Sequence, residues 1–447
     1  MSLPRYPEYK DSGTVWLGKV PAHWNIKRIR FVAVMNPSKS ELTEVDRETE
    51  VSFLPMEAIG DDGSINLERT RRISEVETGY TFFRNGDVTL AKITPCFENG
   101  KGALMQGLQG GIGFGSTELI VARPKPSEVL GTFLNCIFRS PNFRAQGEAS
   151  MYGAGGQKRV PDDFVRNLVW SFPPVEEQTA IATFLDRETA KIDALIAEQE
   201  KLLTLLAEKR QATISHAVTK GLNPDVPMKD SGVEWLGEVP AHWDVQKLKR
   251  YLEFITSGSR GWAEHYADDG ALFIRIGNLT RNSTHLDLSD IQRVAVPAAA
   301  EGERTKVRPG DVLFSITAYL GSVAVVPEEL EPAFVSQHIA LARLHKQLVL
   351  PAWVAYVALS WVGKTYLETQ GYGGTKVQLS LDDVANFLLT VPPLEEQVTI
   401  TAFLESEIAK IDTLSTEATR AITLLKERRS ALISAAVTGK IDVREAA

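Results

Sequence analysis

The sequence predicts an α+β protein. We expect two globular modules of mixed helix and strand, joined by two long helices that pack as an antiparallel coiled coil, in a pseudo-twofold tandem duplication. Three observations lead to this fold class: the chain repeats itself, each copy ends in a long amphipathic segment, and the stretches between the repeated blocks differ. At 447 residues the chain also exceeds the size at which one hydrophobic core keeps growing.

The repeat has two blocks. Lys10–Trp24 (KDSGTVWLGKVPAHW) and Lys229–Trp243 (KDSGVEWLGEVPAHW) agree at 12 of 15 positions, and Pro173–Thr219 agrees with Pro392–Thr438 at 26 of 47. Both blocks keep the same offset of 219 residues, which indicates two large modules in tandem rather than a solenoid. The predicted division is a first module at 1–172, a first helical segment at 173–221, a second module at 222–391 and a second helical segment at 392–447.

Each helical segment carries apolar residues at spacings of three and four, with charged residues between them. In the first copy, Val175–Val218, they are Ile181, Leu185, Ile192, Leu195, Leu202 and Leu206; in the second they are Ile400, Leu404, Ile411, Leu414, Leu425, Leu432 and Val437. Gly221 and Gly439 are expected to end the two helices. A helix of about 44 residues is roughly 65 Å long, so its apolar stripe needs a partner. The other copy is the favoured partner; the alternative is that each helix packs only on its own module.

The repeated WLG-x-VPAHW segments place four tryptophans, Trp16, Trp24, Trp235 and Trp243, beside the helical segments. They could stack on nucleic-acid bases. Their presence in both copies favours a structural clamp instead.

The segments between the repeated blocks, Asn25–Phe172 and Asp244–Val391, share little beyond points such as Gly86-Asp87 and Gly310-Asp311. Each alternates short β-branched runs with turns and one apolar helix, so an α+β module is expected for both. One frame that carries two different modules suits a protein that recognises two different targets.

Each module contains a glycine-rich loop with a cation, Tyr152–Arg159 (YGAGGQKR) and Tyr372–Lys376 (YGGTK). Glycine lets a backbone approach a phosphate or base edge closely, and the cations supply attraction. Arginine and lysine can read guanine, and asparagine and glutamine can read adenine. The competing interpretation is a solvated hairpin tip. The candidate DNA-contacting residues of these loops are Gly155, Gly156, Gln157, Lys158, Arg159, Gly373, Gly374, Thr375 and Lys376.

Weaker candidates lie elsewhere in the modules. They are Lys92, Asn99 and Lys101 in the first module and Arg275, Asn278, Thr317 and Tyr319 in the second, with Gln337 and His338 comparable. For each of them alone, a surface or core role competes with base contact.

Composition bounds the function. The net charge of −8 argues mildly against a nucleic-acid binder, although acidic residues can gather on faces that never meet DNA. No apolar run is long enough for a membrane span, and no signal peptide is recognisable, so we expect a cytoplasmic protein that does not contact a membrane. Two cysteines outside any CxxC pair predict no disulfide framework, and the histidines predict no metal site. Phosphate-loop, methyltransferase and nucleophile motifs are missing, so the chain is expected to be non-catalytic.

Three motifs recur in both halves: KDSG-x-x-WLG-x-VPAHW opens each half, PP[VL]EEQ…FL…AKID-x-L closes each module, and ISHAVTKG or ISAAVTGKIDV ends each helical segment. In these motifs the chain resembles the specificity subunit of type I restriction–modification systems over nearly its whole length. The one departure is a swap, Lys220-Gly221 in the first copy against Gly439-Lys440 in the second.

The resemblance implies two target recognition domains, each of which binds one part of a bipartite site on double-stranded DNA. It implies that the helices act as a spacer and dock two methyltransferase subunits, with two motor–nuclease subunits completing the complex. S-adenosylmethionine, ATP and magnesium are then expected on the partner subunits, and no cofactor on this chain. A coiled-coil scaffold with two protein-recognition modules is the alternative function, and a self-sufficient methyltransferase is disfavoured by the missing cofactor motif.

Overall fold

The computed structural model describes residues 4–154, 156–258, 260–296, 301–371 and 378–445. Two compact units are present: one contains the residues up to Gln199 together with those from Arg420, and the other is Glu200–Thr419. Each unit therefore combines one module with the beginning of one long helix and the end of the other. Within the described residues, no helix is both long and apolar enough to span a bilayer.

The first module contains two four-stranded sheets. One runs in the order Ala33–Met35, Leu119–Pro124, Val88–Ala91, Gly102–Leu104, and the other in the order Thr70–Arg72, Glu50–Leu54, Ile112–Gly115, Thr81–Arg84. The α-helices are Ile29–Val32, Ile73–Val76, Gly131–Arg139, Pro141–Ser150 and Asp162–Asn167, and the 3-10 turns are Lys39–Leu42, Met56–Ala58 and Gln109–Gly111. Helix Gly131–Arg139 has a buried face that consists of the predicted residues Phe133, Leu134, Ile137 and Phe138.

The second module repeats this plan with different residues. Its sheets run in the orders Leu252–Ser257, Ile339–Leu344, Val312–Ser315, Val323–Val325 and Tyr266–Ala267, Arg293–Val294, Ala271–Ile274, Ala333–Val335. Its α-helices are Glu301–Thr305, Pro351–Leu359, Trp361–Gln370 and Leu381–Ala385, and its 3-10 turns are Leu248–Arg250, Trp262–His265 and Ile276–Asn278. Among the described strands, one pair in each module is parallel: Glu50–Leu54 with Ile112–Gly115, and Ala271–Ile274 with Ala333–Val335.

Short two-stranded sheets link each module to the repeated blocks. The hairpins are Tyr9–Asp11 with Lys19–Pro21 and Met228–Asp230 with Glu238–Pro240, and the closing pairs are Asn25–Arg28 with Val169–Phe172 and Asp244–Lys247 with Leu388–Val391. The strand that enters each module is thus hydrogen-bonded to the strand that leaves it. The prolines that follow the leaving strands stand just before the long helices, where a missing N–H costs little.

The Gly-Asp pairs shared by the two modules mark an ion pair between a buried aspartate and a partly exposed arginine. The Asp87 carboxylate receives two hydrogen bonds from Arg123, at 2.7 and 2.8 Å. The Asp311 carboxylate receives two from Arg343, at 2.8 and 2.7 Å. Asp87 raises the pKa of Arg123 further above its usual value. These paired turns fix equivalent strands in both modules.

The two long helices are Val175–Lys220 and Leu394–Val437. In the first unit Asp193 pairs with Arg429 at 2.8 Å, and Ile181 and Leu185 share a core with Ile433 and Val437. An early segment of one helix therefore lies against a late segment of the other, as the predicted antiparallel pairing requires.

The second unit makes the same contact with the copies exchanged. Arg210 pairs with Asp412, and Ile214 and Val218 share a core with Ile400 and Leu404. Arg210 and Arg429 are equivalent in the repeat, as are Asp193 and Asp412. One arginine–aspartate pair is thus used twice, once within each unit.

The predicted apolar stripe is only partly buried. Ile181, Leu185, Ile192 and Leu206 are buried, as are Ile400, Leu404 and Ile411. In contrast, Leu195, Leu202 and Leu414 are exposed. The apolar stripe therefore includes more residues than are buried, and some apolar side chains near the middle of each helix are exposed.

A glutamate in the first turn of each long helix holds the repeated His-Trp motif. The Glu177 carboxylate contacts Tyr6 Oη at 2.7 Å, His23 Nε2 at 2.7 Å and Trp24 Nε1 at 3.0 Å. The Glu396 carboxylate contacts His242 Nε2 at 2.8 Å and Trp243 Nε1 at 3.1 Å. Trp24 and Trp243 are fully buried, which confirms the structural clamp for these two tryptophans.

The next residue along each helix ties the helix to its module. The Gln178 side-chain oxygen accepts from Leu130 N at 2.8 Å, and its amide donates to Pro173 O at 2.9 Å. Gln397 does the same with Leu350 N at 2.9 Å and Pro392 O at 2.9 Å. The Glu-Gln dipeptide of each PPxEEQ motif therefore joins the hairpin, the module and the long helix at one place.

Replacing Glu177 tests this joint. Glu177→Ala leaves the Trp24 and Tyr6 donors buried without an acceptor, and we expect the free energy of unfolding to fall by about 3 kcal/mol. The exposed neighbour supplies the matched control, since Glu176→Ala removes the same charge and should change stability by about 0.5 kcal/mol or less. Urea denaturation followed by tryptophan fluorescence measures both. Equal losses in the two variants would contradict the joint.

Candidate nucleic-acid interface

In the first module, the segment from Lys92 to Lys101 and the glycine-rich loop lie side by side. Thr94 N donates to Lys158 O at 3.0 Å and Thr94 Oγ1 donates to Gly156 O at 2.6 Å. Val160 N donates to Lys92 O at 2.8 Å. Two groups of candidates that are more than fifty residues apart in sequence therefore form one surface.

Two cationic side chains of this surface bind other groups of the protein. Arg159 makes a two-pronged pair with Glu118, at 2.7 Å from Nη2 and 3.0 Å from Nε, and its guanidinium holds the pKa of Glu118 below its usual range. Lys101 Nζ donates to Met56 O at 3.2 Å. Both side chains stabilise the loops, and DNA contact by either stays a prediction.

Other side chains of this surface are unengaged. No hydrogen bond is described for the side chains of Lys92, Asn99, Gln157 and Lys158. Asn99, Gln157 and Lys158 are exposed, and Tyr152 beside them is exposed as well. Gly156 has a left-handed φ of 79° and open space where a side chain would stand. Gly155 lies outside the described residues.

The second module builds the same junction. Leu379 N donates to Ile316 O at 2.9 Å, as Val160 N does to Lys92 O. Thr317 forms a bridge with Gln378, as Ile93 does with Arg159. The glycine-rich candidates Gly373, Gly374, Thr375 and Lys376 lie outside the described residues. The two modules thus share a backbone junction and differ in the side chains that it carries.

The loop after strand Val312–Ser315 projects an aromatic ring. Ala318 has a left-handed φ of 60°, which is costly for a residue with a side chain. The next residue, Tyr319, is 61% exposed. Backbone strain of this kind clusters at binding sites, so Tyr319 stays a candidate with a structural reason.

Thr317 belongs to a series of hydrogen-bonded side chains that also includes Gln337 and His338 of another loop. Thr317 Oγ1 contacts His338 Nδ1 at 3.0 Å, and Gln337 Nε2 contacts His338 Nε2 at 3.1 Å. Arg275 follows the strand that is parallel to Ala333–Val335, and Ser336 N donates to Ile274 O at 2.9 Å. The ends of these two parallel strands therefore bring Arg275 to the loop of Gln337 and His338.

Asn278 has a different position from the other candidates. It is buried, its side-chain oxygen accepts from Arg275 N at 2.9 Å, and its amide donates to Asp287 O at 2.8 Å and to Asp290 O at 2.9 Å. These bonds use its hydrogen-bonding capacity within the loop. Arg275 pairs with the exposed Asp290 at 3.0 Å, a contact that solvent screens and DNA could replace.

Sequence reasoning missed the acidic partner of the first junction. Glu118 stands between strands and pairs with Arg159 from 41 residues away, and no spacing rule connects such residues. The ion pairs at Asp87 and Asp311 left a clearer signal. An Ala-Arg dipeptide ends an apolar run in both halves, at Arg123 and at Arg343.

Comparison with known proteins agrees with this geometry. Residues 243–423 match the model of the type I restriction modification DNA specificity domain. Over this part, the chain is similar to the specificity subunits of type I restriction–modification systems. Among its relatives in Escherichia coli, the EcoAI specificity subunit is 41% identical over 194 residues, 43% of this chain and 32% of that protein. The EcoEI specificity subunit is 41% identical over 199 residues, 42% of this chain and 33% of that protein.

These matches span only about a third of the length of either relative. A solved chain from a study of type I R-M complex assembly and conformational transition covers more. It overlaps 94% of this chain and 98% of its own length, with a TM-score of 0.70 and 22% identity. That similarity concerns the fold: two unlike α+β modules and a pair of long helices.

Proposed function

We propose that this chain is the DNA sequence-specificity subunit of a type I restriction–modification complex in the cytoplasm. Each module binds one half of a bipartite site on double-stranded DNA, and the long helices set the gap between the halves. The observation that carries the proposal is the shared junction: Val160 with Lys92 and Leu379 with Ile316 hold equivalent loops on equivalent backbones, yet the side chains on those loops differ. The alternative function, a scaffold that binds two protein clients, has no support from the similarity to specificity subunits.

In this proposal the chain itself performs no chemistry. Methyl transfer from S-adenosylmethionine and ATP-driven, magnesium-dependent restriction belong to partner subunits. The chain's task is to hold adenine-bearing half-sites where those subunits can reach them. Because the copies are equivalent, two methyltransferase subunits and two motor–nuclease subunits fit the duplication better than one of each.

Exposed leucines support two equivalent docking sites on the long helices. Leu195 and Leu414 are equivalent and are 52% and 47% exposed, and Leu205 and Leu424 are equivalent and are 51% and 53% exposed. Single exposed leucines are ordinary. Here the first unit contains Leu195 and Leu424 and the second contains Leu205 and Leu414, so each unit offers one leucine from each helix.

The gap between half-sites tests the central claim. Four residues inserted after Ala197 and four after its equivalent Thr416 lengthen each helix by about 6 Å and leave the Asp193–Arg429 and Arg210–Asp412 pairs outside the inserted turns. At roughly 3.4 Å per base pair, we expect the recognised gap to grow by one or two pairs with unchanged half-sites. Methylome sequencing of a host that expresses the complex measures this. The control is insertion after Ala197 alone, which takes the helices out of register and should abolish modification. Altered half-sites with an unchanged gap would refute the proposal.

The free side chains of the first junction should divide into two kinds. Lys158→Ala should weaken binding to all duplexes alike and reduce the slope of log affinity against log salt by about one. Gln157→Ala should cost about 1 to 3 kcal/mol at one base pair of one half-site. Fluorescence anisotropy of the complex over a salt series separates the two effects. Lys19→Ala, an exposed lysine of the hairpin, serves as the control, and an equal effect from it would argue against this surface.

Partner docking can be removed one site at a time. Leu195→Glu with Leu424→Glu places two charges on the first unit and should cost the complex one methyltransferase subunit. Leu205→Glu with Leu414→Glu should cost the other. Native mass spectrometry counts the subunits. Ala197→Glu adds a charge at an exposed position on a different face of the first helix and should leave the count intact; loss of both subunits from either double variant would contradict two separate sites.

A further inference from the structure

One tyrosine ring projects from each junction. Among the described tyrosine, phenylalanine and tryptophan residues, Tyr152 and Tyr319 have the two most exposed side chains, at 62% and 61%. Tyr152 belongs to the glycine-rich loop of the first module, and Tyr319 belongs to the loop after strand Val312–Ser315 of the second. A single exposed ring is ordinary. The same exposure at two equivalent junctions indicates a common cause.

The backbone of Tyr152 is fixed at the base of its loop. Tyr152 N donates to Arg159 O at 3.1 Å, and Arg159 N donates to Tyr152 O at 2.9 Å. Arg159 also forms a bridge with Ile93, and its side chain is bound by Glu118. Tyr152 therefore projects from a closed pair of residues on the same surface as the exposed Lys158.

The backbone of Tyr319 is fixed on both sides. Ala318 before it has the left-handed φ of 60°, and Leu320 after it is buried in the core of its unit. Ser322 N donates to Tyr319 O at 3.2 Å, and Ser315 N donates to Ser322 O at 3.0 Å, which closes the turn. Because a strained residue and a buried neighbour flank the ring, its outward position is a property of the fold.

A rigidly placed aromatic ring suits one kind of DNA contact. The face of any base can stack on such a ring, and a tyrosine loses little conformational freedom on binding because it has only two side-chain torsions. In an intact duplex the neighbouring base pairs cover those faces. A base that undergoes chemistry has to leave the stack, which exposes the faces of the bases next to it. Methyl transfer by a partner subunit opens a half-site in this way.

We propose that Tyr152 and Tyr319 each stack on a base beside the opened position of one half-site. The inference rests on the proposed function, which places each module on its own half-site. The rings stabilise the open duplex while a partner subunit acts on the displaced base. One tyrosine lies in each unit, which matches one opened position in each half-site. The competing role is a contact from the tyrosine hydroxyl to a phosphate, and the test separates the two.

The affinity of the assembled complex for a duplex with the bipartite site, read from the methylome, tests whether the rings stack. Tyr152→Ala and Tyr319→Ala should each weaken binding about tenfold, a typical loss for one stacked base. Tyr152→Phe and Tyr319→Phe keep the ring and should bind within about twofold of the parent. Equal losses in the alanine and phenylalanine variants would assign the contact to the hydroxyl and overturn the proposal.

The matched controls are Tyr80→Ala in the first module and Tyr266→Ala in the second. Each removes an exposed tyrosine that lies away from the junction and should bind as the parent does. Losses in the controls equal to those in the junction variants would contradict the proposal. Because Tyr152 and Tyr319 are exposed, their alanine variants should fold as the parent does, which thermal unfolding checks.

The fluorescence of 2-aminopurine at the modified adenine of either half-site locates each ring, since this base analogue brightens when it leaves the stack. We expect Tyr152→Ala to reduce the brightening by about half at one half-site and Tyr319→Ala to do so at the other. A reduction at both half-sites from one variant, or no reduction from either variant, would overturn the proposal. A parent complex without preference for the bipartite duplex would reject the proposed function itself, and this inference with it.

Discussion

A carboxylate in the first turn of each long helix holds the rest of the structure in place. Glu177 and Glu396 each accept from a buried tryptophan of the repeated hairpin. The glutamine that follows each of them binds the backbone of the adjoining module. Because one dipeptide contacts three elements, the orientation of the module on the helix is set within a few residues. That explains why the two repeated blocks are kept together although more than a hundred residues separate them in each half.

This arrangement separates the frame from the proposed recognition surface. The strands that enter and leave each module are paired with each other, so the residues between them can change without disturbing the joint. Within the modules the bidentate pairs at Asp87 and Asp311 hold equivalent strands, and the same loop junction follows. The loops themselves carry lysine, glutamine and asparagine in one module and threonine, tyrosine and histidine in the other. Different targets can therefore be recognised on one backbone plan.

The parts that could be predicted from the sequence are those that depend on local pattern or on repetition. The long helices follow from spacing, and their antiparallel pairing follows from two copies that each need a partner. The side-chain partners within the modules could not be predicted, because they join distant residues. Arg159, a candidate cation of the glycine-rich loop, is held by Glu118, and Asn278, a weaker candidate, is enclosed by the loop that it stabilises. The net charge of −8 has the same limit, since a global sum does not show that Lys158 is exposed at the junction.

A duplicated frame gives each position an internal reference. A residue that both copies share, as Asp193 and Asp412 do, stabilises the repeated frame. A difference between the copies in a loop is what the proposed recognition of two different targets requires. Arg139 and Asn135 belong to neither group. They lie on helix Gly131–Arg139 rather than in a loop, and the equivalent residues of the second module are apolar, Leu359 and Ala355. A buried guanidinium costs stability unless something compensates it, and the second unit shows that the fold had a cheaper solution. The two copies therefore pack the equivalent helix with side chains of different polarity.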